Sequence, residues 1–161
     1  MNDKDKIYKA AVKWFRSEIA AQWGLSDKGK VEQPIPITGR EDKTSFWFLA
    51  VTAEDKIVGF MQFDDKYQFL RYSSFQRKKM YFDNCPPAAS WLDKETIISR
   101  ARCIADDSEV LSAPFLTYYQ DWSRVVWAVV AINTAGIRRT IFVAGEVTFI
   151  GEAMRSDDIT G

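Results

Sequence analysis

Two stretches of the chain repeat one pattern at a spacing of 80 positions. Trp47 opens an apolar run that continues to Val51, and Trp127 opens a second apolar run that continues to Ile132. Three further identities recur at the same spacing: Pro34 and Pro114, Ile57 and Ile137, Phe69 and Phe149. Self-similarity at a fixed period is typical of a chain built from tandem units. The alternative is two unrelated segments, because alternating strands resemble one another and chance composition gives this many identities.

The order of predicted elements supports the repeat more strongly than the identities do. Residues 4–23 and 93–106 have apolar side chains at helical spacing, and each segment precedes a proline-containing stretch and three alternating strands. This order predicts an α+β fold of two helix-plus-antiparallel-meander repeats, each helix packed on a curved sheet. The predicted bounds are 1–83 for the first repeat, 84–91 for a Pro-rich linker, 92–151 for the second repeat and 152–161 for a polar tail.

Three connecting or interior segments have local predictions of their own. Residues 73–83 are expected to add an edge strand through residues 80–82. Residues 120–123 are expected to form a turn that contains Trp122. Gly59 lies within a predicted strand, which indicates a bulge or the close approach of another group.

Charge and histidine content restrict the function. Lys+Arg and Asp+Glu both number 22, and the resulting zero net charge argues against attraction of the whole surface to nucleic acid or an anionic membrane. The chain has no histidine, the usual general base near neutral pH and the commonest imidazole metal ligand. Ser-His-Asp, Cys-His and His-zinc sites are excluded within this chain, whereas carboxylate, Lys or Tyr chemistry stays open. We expect a non-enzymatic protein with no cofactor and no metal.

The cysteines and the N-terminal residues indicate the cellular compartment in which the protein is expected. Cys85 and Cys103 form neither a disulfide framework nor a metal-binding spacing. Cys103 is expected to be a small buried core residue of its helix or to lie beside the apolar stripe, and Cys85 is expected to be an exposed thiol in the linker. Residues 1–6 lack the apolar core of a signal peptide, and no run approaches the roughly 18 apolar residues that span a bilayer. We therefore expect a cytoplasmic protein without a membrane partner.

Two groups of residues are candidate contacts. The first comprises aromatic residues expected in or near turns, where Trp and Tyr often form binding hot spots: Trp91, Tyr118, Tyr119 and Trp122. The alternative for Trp122 is that its ring folds back over the meander. The second group is the basic cluster Arg77, Lys78 and Lys79, which is interleaved with aromatic residues as in proteins that bind single-stranded nucleic acid. A solvated loop flanked by core aromatics is the favoured interpretation, so no nucleic-acid partner is predicted.

Arginines and paired carboxylates give further candidates. Arg138 and Arg139 alternate across a strand, so at most one of them joins Arg124 on a surface that could hold a carboxylate or phosphate. Adjacent carboxylates support acid-base or Mg²⁺ chemistry only when they converge in a pocket. The five pairs here fall in predicted turns and element ends, where acidic residues are favoured for local reasons: Glu41-Asp42, Glu54-Asp55, Asp64-Asp65, Asp106-Asp107 and Asp157-Asp158.

A short turn in the second half connects the chain to a known family. Ala144-Gly145-Glu146-Val147 follows a predicted helix and a Trp-led strand, and Asp64-Asp65-Lys66-Tyr67 is a degenerate version in the first half. This arrangement resembles the PepSY family and the wider cystatin-like folds, over residues 92–150 above all. The resemblance implies a non-catalytic module that binds or restrains another protein. PepSY proteins are usually exported, and the charged N-terminus of this chain departs from that pattern.

These observations lead to one expected function and one alternative. We expect a protein-binding or inhibitory module that contacts a protein partner or forms a homodimer. The alternative is a small-ligand carrier with an apolar pocket between helix and curved sheet, lined by Trp47, Phe60 or Trp127. A carboxylate-based enzyme has no supporting constellation of residues in the sequence.

Overall fold

A computed structural model describes residues 1–39 and 44–151 of the chain. These residues form an α+β fold whose helices and strands divide between two compact units. The first unit contains residues 1–36 and 44–88, and the second contains residues 37–39 and 89–151. The predicted turn at residues 40–43 and the predicted tail at 152–161 lie outside the described residues.

The first unit begins with a helical segment in three parts: α1 is Asp3–Trp14, Phe15–Ile19 forms a π-helical turn, and α2 is Ala20–Trp23. The side-chain oxygen of Asn2 caps the start by accepting the N–H of Asp5 at 2.8 Å. Gly24 ends the helix with φ +71°, a left-handed conformation that glycine adopts without strain. The predicted helix over residues 4–23 is confirmed.

The strands that follow in the chain are β1 Lys30–Val31, β2 Ile35–Thr38, β3 Thr44–Ala53, β4 Lys56–Asp64 and β5 Phe69–Ser74. Within the first unit β3, β4 and β5 form an antiparallel meander, and β1 adds to β3 in antiparallel orientation. Strand β2 is the element at which the chain passes from the first unit into the second.

The core of the first unit forms where the helical segment meets the meander. Ile7, Ala11, Phe15 and Ile19 recur at helical spacing and are buried. They belong to one hydrophobic cluster with strand residues, among them Leu49, Val51, Val58, Met61 and Phe63. Removing these side chains from water is the dominant stabilising contribution, at roughly 25 cal/mol per Å² of apolar surface.

Gly59 in β4 combines a bulge with a close approach. The register of β3 on β4 shifts between Val51 and Thr52, next to the partner of Gly59. A Cβ atom built on Gly59 would lie 2.1 Å from the hydroxyl oxygen of Tyr72 and 2.4 Å from its Cζ. The ring of Tyr72 therefore covers the backbone where Gly59 has no side chain, and both parts of the prediction for this residue are confirmed.

The second unit contains two helices and a second meander. Helix α3 is Ala89–Leu92, and α4 is Lys94–Ile104, whose start is capped by the Asp93 carboxylate. The strands are β6 Val110–Leu111, β7 Phe115–Tyr119, β8 Asp121–Ile132, β9 Arg138–Ala144 and β10 Val147–Gly151. Strands β7 to β10 form an antiparallel meander, β6 adds to β8, and Ile37 of β2 pairs with Leu116 of β7 in parallel.

Strand β8 is buried on both faces in its centre, as its continuous apolar pattern predicts. Every residue from Val125 to Val129 is buried. Trp127 is 1% exposed, and its indole N–H donates to the carbonyl of Trp91 at 2.9 Å. The largest side chain of the strand is thus anchored to the helical side of the unit by a buried hydrogen bond.

The strand pairings of the two units have the same register at the spacing of 80 residues. Val31 pairs with Val51, and Leu111 pairs with Ala131. Five consecutive pairs of β3 and β4, from the pair at 47 and 63 to the pair at 51 and 59, have counterparts 80 residues later in β8 and β9. The two units therefore have the same register in the hairpins β3–β4 and β8–β9, which contain Trp47 and Trp127.

Two local predictions are wrong. Residues 75–83, all of them described, form turns instead of an edge strand, because the backbone N–H of Met80 bonds to the carbonyl of Trp23 at 3.1 Å and Phe82 enters the core. Residues 120–123 are not a turn, since β8 begins at Asp121 and Gln120, with φ +73°, makes the reversal alone.

The Pro-rich segment packs against the first unit. The N–H of Ile57 donates to the carbonyl of Pro86, and the N–H of Ala88 donates to the carbonyl of Asp55, both at 3.0 Å. The boundary between the two units falls between Ala88 and Ala89.

Candidate functional site

The four candidate aromatic residues have very different exposure. Trp122 is 47% exposed and Tyr119 is half-buried, whereas Trp91 is 7% exposed and Tyr118 is 5% exposed. Helix α3 carries Trp91 into the core, and alternation along β7 turns Tyr118 to the face opposite Tyr119. The prediction that Trp91 and Tyr118 are surface residues is wrong.

Trp91 supports the turn that resembles the PepSY pattern. Gly145 has φ +62°, and a Cβ atom there would lie 3.2 Å from the indole nitrogen of Trp91. The carbonyl of Gly145 accepts a hydrogen bond from Arg100 of α4. A glycine at this turn is thus explained by the backbone conformation and by packing within the second unit.

Tyr119 joins an aromatic cluster with Phe142 and Phe149. Its ring centroid lies 5.1 Å from that of Phe142 and 4.9 Å from that of Phe149, which itself stacks on Phe142 at 5.3 Å. Strands β7 and β10 are separated by β8 and β9, about 14 Å in a flat sheet. The ring contacts therefore require the sheet of the second unit to curl on the face opposite Trp127.

Trp122 and Val147 are exposed apolar side chains near the starts of β8 and β10. Trp122 lies where the register of β8 against β7 shifts, between Asp121, which pairs with Tyr119, and Val125, which pairs with Tyr118. Val147 has the same parity along β10 as Phe149 and is 61% exposed. Trp122 is thus exposed as predicted, although it lies in a strand.

Strand β10 is the last strand in the order of the second unit. Among the described residues it pairs with β9 alone. Its sequence, Val147-Thr-Phe-Ile-Gly151, contains neither a charged residue nor a proline, and Ile150 is 50% exposed. We call these five residues the β10 edge.

The basic cluster lies on an exposed loop. Arg77, Lys78 and Lys79 are exposed, and the Lys78 ammonium lies 5.3 Å from the ring centroid of Tyr81. The neighbouring Phe82 is 7% exposed and belongs to the core of the first unit. The loop therefore offers few rings on which a base could stack, which supports the interpretation of a solvated loop.

Arg139 forms an ion pair with Glu109, whose side chain is buried, whereas that of Arg139 is partly exposed. Its guanidinium donates to both carboxylate oxygens of Glu109, with Nε–Oε2 at 2.8 Å and Nη2–Oε1 at 2.5 Å. These hydrogen bonds, together with the N–H of Asp106, lower the pKa of Glu109, and the same pair raises the pKa of Arg139. Arg138 is exposed, and Arg124 donates to Gln120 at 2.6 Å. The three arginines do not form a common anion site.

The paired carboxylates that the structure describes have local roles. Glu54 and Asp55 form the turn between β3 and β4 with φ +53° and +64°, and Glu54 pairs with Lys28 at 2.7 Å. Asp64 accepts two backbone N–H groups of its own turn. Residues 1–39 and 44–151 contain no group of three or more His, Cys, Asp or Glu residues placed to hold a metal ion. The pairs Glu41-Asp42 and Asp157-Asp158 lie outside the described residues.

The exposure of the two cysteines is the reverse of the prediction. Cys85 is 4% exposed and belongs to the core of the first unit, because the Pro-rich segment folds onto that unit. Cys103 is exposed on the face of α4 that points away from Ile97 and Ala101. Burial raises the pKa of the Cys85 thiol.

The side chains predicted to line an apolar pocket are packed against protein groups. Phe60 stacks on Phe48 with ring centroids 4.8 Å apart, and the guanidinium of Arg71 lies 5.2 Å from its ring centroid. Trp127 is fully buried, and Trp47 packs on the core of the first unit. These three side chains therefore contribute to packing within their units.

Comparison with known proteins finds no matching family model, no matching curated protein and no matching solved structure. The PepSY-like and cystatin-like resemblance therefore stays a prediction. Within the described residues, every helix is too short or too polar to cross a membrane.

Proposed function

We propose that the chain is a non-enzymatic protein-binding module that pairs with a second copy of itself through the β10 edge. The observation that carries the proposal is the composition of that edge. Natural edge strands are usually protected from pairing by charged side chains, prolines or bulges. The β10 edge has no charged residue and no proline, and it presents Val147 and Ile150 to solvent.

The neighbouring apolar face supports the same contact. Val147 lies on the same face of β10 as Phe149 and is exposed, and Trp122 is an exposed ring near the start of β8. Tryptophan and tyrosine at such positions often dominate the binding energy of an interface. The zero net charge adds no repulsion between two copies of the chain. A homodimer is the partner that these features favour.

The tandem repeat and the cytoplasmic location belong to the same proposal. The common register of β1, β3 and β4 with β6, β8 and β9 supports an origin of the two units from one duplicated unit. Two free cysteines support a reducing compartment. The missing histidine and the dispersed carboxylates support a function without catalysis.

The test is the mass of the full chain in solution, measured by sedimentation velocity and light scattering. The wild type is expected at twice the chain mass of 18.5 kDa. Ile150→Lys puts a charge on the β10 edge and should yield a monomer, because like charges meet when two such edges pair. Trp122→Ala should weaken the association while the far-ultraviolet circular dichroism stays that of the wild type.

Ile137→Lys is the matched control. Ile137 is 65% exposed, but it lies in the hairpin between β8 and β9, outside the β10 edge. The same substitution there should leave the dimer intact. A wild-type chain that stays monomeric at ~100 μM, or an equal loss of association in both lysine variants, contradicts the proposal.

A further inference from the structure

A pocket of about 350 Å³ opens in the first unit beside the π-helical turn. Its apolar wall includes Val12, Phe15, Ala20 and Val31, and its charged lining is supplied by Arg16 and Lys30. This volume is within the usual range of small-molecule sites, about 300–1,000 Å³. The pocket thus combines an apolar wall with two cations.

The π-helical turn places one of these cations. The turn runs over Phe15–Ile19, with both of its end residues buried, and Arg16 is its exposed second residue. π-helical turns are rare, and they occur frequently at functional sites. The turn therefore holds Arg16 at the pocket while Phe15 contributes to the apolar wall.

The two cations are available to a ligand to different degrees. Arg16 forms no ion pair in the part of the chain that the structure describes. Lys30 lies 3.8 Å from a Glu32 carboxylate oxygen that also accepts the Thr52 hydroxyl at 2.8 Å. Lys30 is thus held loosely by a shared carboxylate, whereas Arg16 retains its full capacity to donate hydrogen bonds.

The second unit lacks the corresponding features. At the spacing of 80 residues, Arg16 corresponds to Thr96 and Lys30 corresponds to Val110, so neither cation has a counterpart. Gly29, which lines the pocket, corresponds to Glu109, whose carboxylate is engaged by Arg139. The second unit therefore has the same strand register without a cation at either of these positions.

We infer that this pocket binds an amphiphilic organic anion. The apolar part of the ligand lies against Val12, Phe15 and Val31. Its carboxylate or phosphate group accepts hydrogen bonds from Arg16 and Lys30, and the planar guanidinium suits either group. The site lies in the first unit and is independent of the β10 edge.

The experiment uses the full chain and a fluorescent probe of this class, 8-anilinonaphthalene-1-sulfonate. Its fluorescence is expected to rise on binding at one site per chain, and decanoate and decyl phosphate should compete with it. N-phenyl-1-naphthylamine is the uncharged reference probe of similar shape. The double variant Arg16→Gln, Lys30→Gln should lower the affinity for the anionic probe about tenfold or more and leave the uncharged probe unaffected.

Two further variants separate the pocket from the general surface. Lys9→Gln, Lys13→Gln removes two exposed cations from the same helix and should leave the anionic probe bound as in the wild type. Ser26→Phe places a ring at an exposed residue of the pocket and should block both probes. The inference is overturned if the anionic probe binds the Arg16 and Lys30 double variant as tightly as it binds the wild type. It is also overturned if the Lys9 and Lys13 double variant loses as much affinity for the anionic probe as the Arg16 and Lys30 double variant does. The relative potency of decanoate and decyl phosphate distinguishes a carboxylate from a phosphate ligand.

Discussion

Gly59→Ala is predicted to destabilise the first unit through one overlapping contact. The added Cβ atom would lie 2.1 Å from the hydroxyl oxygen of Tyr72, 2.4 Å from its Cζ and 2.7 Å from the carbonyl oxygen of Ser73. Real Cβ contacts of this kind are longer than 3.0 Å, so strand β5 or the Tyr72 ring must move. Tyr72 is partly buried and packs against the core of the first unit, and burial raises the pKa of its hydroxyl well above the usual range.

The magnitude follows from two opposing effects. Overpacking a well-packed site destabilises a fold by about 1–3 kcal/mol. The reduced freedom of alanine in the unfolded chain offsets about 0.4–1 kcal/mol. The expected net change in the free energy of unfolding is a loss of about 1–2 kcal/mol, measured by urea denaturation followed with tryptophan fluorescence and circular dichroism.

A double-mutant cycle identifies the cause. In a Tyr72→Leu background the ring above Gly59 is absent, so Gly59→Ala should destabilise the chain less than about half as much as in the wild type. Gly136→Ala is the control, because Gly136 has φ +80° and no atom within 4 Å of an added Cβ. Its loss of about 1 kcal/mol comes from backbone strain and should be the same in both backgrounds. A Gly59→Ala chain as stable as the wild type, or an equal loss in both backgrounds, would refute the reasoning.

Three further predictions concern the buried hydrogen bond, the thiols and the ion pair. Trp127→Phe should destabilise the second unit by about 2–4 kcal/mol in urea denaturation, because it leaves a cavity and a buried Trp91 carbonyl without its donor; a loss below about 1 kcal/mol contradicts this. Ellman's reagent should modify Cys103 in the native chain and Cys85 only after unfolding, so the native Cys103→Ser variant should not react. The pKa of Glu109 is lower in the folded chain than its ordinary value of 4.5. The ionised Glu109 therefore stabilises the fold fully at pH values above 4.5, and this stabilisation is lost as the pH falls through the pKa of the folded state. The gap in unfolding free energy between wild type and Glu109→Gln should therefore narrow below pH 4.5, and a gap that is constant down to pH 3 contradicts this.

Local pattern was sufficient to predict most of the elements of the fold. The helix over residues 4–23 was predicted from apolar residues with a period of 3.6, and strand β8 was predicted from a continuous apolar run. Both patterns involve only residues that are close together in sequence. The bulge and the close contact at Gly59 were also predictable, because a glycine inside a strand usually marks one of these two features. The sequence likewise indicated that Trp122 is exposed, although it placed this residue in a turn.

The tertiary structure decided which side chains are available to a partner or ligand. Cys85, Trp91 and Tyr118 are buried because segments distant in sequence fold over them, and no local period records such a contact. The pair of Glu109 and Arg139 forms between residues 30 positions apart, and the shared register of the two units became visible only as strand pairing. The pocket of the first unit likewise depends on tertiary structure, because its lining combines Arg16 of the π-helical turn with Lys30 of β1. The periodicity of side chains in a helix or strand is set by the backbone, so it can be recognised in the sequence. Side-chain burial, strand pairing and cavities depend on packing between segments that are distant in sequence.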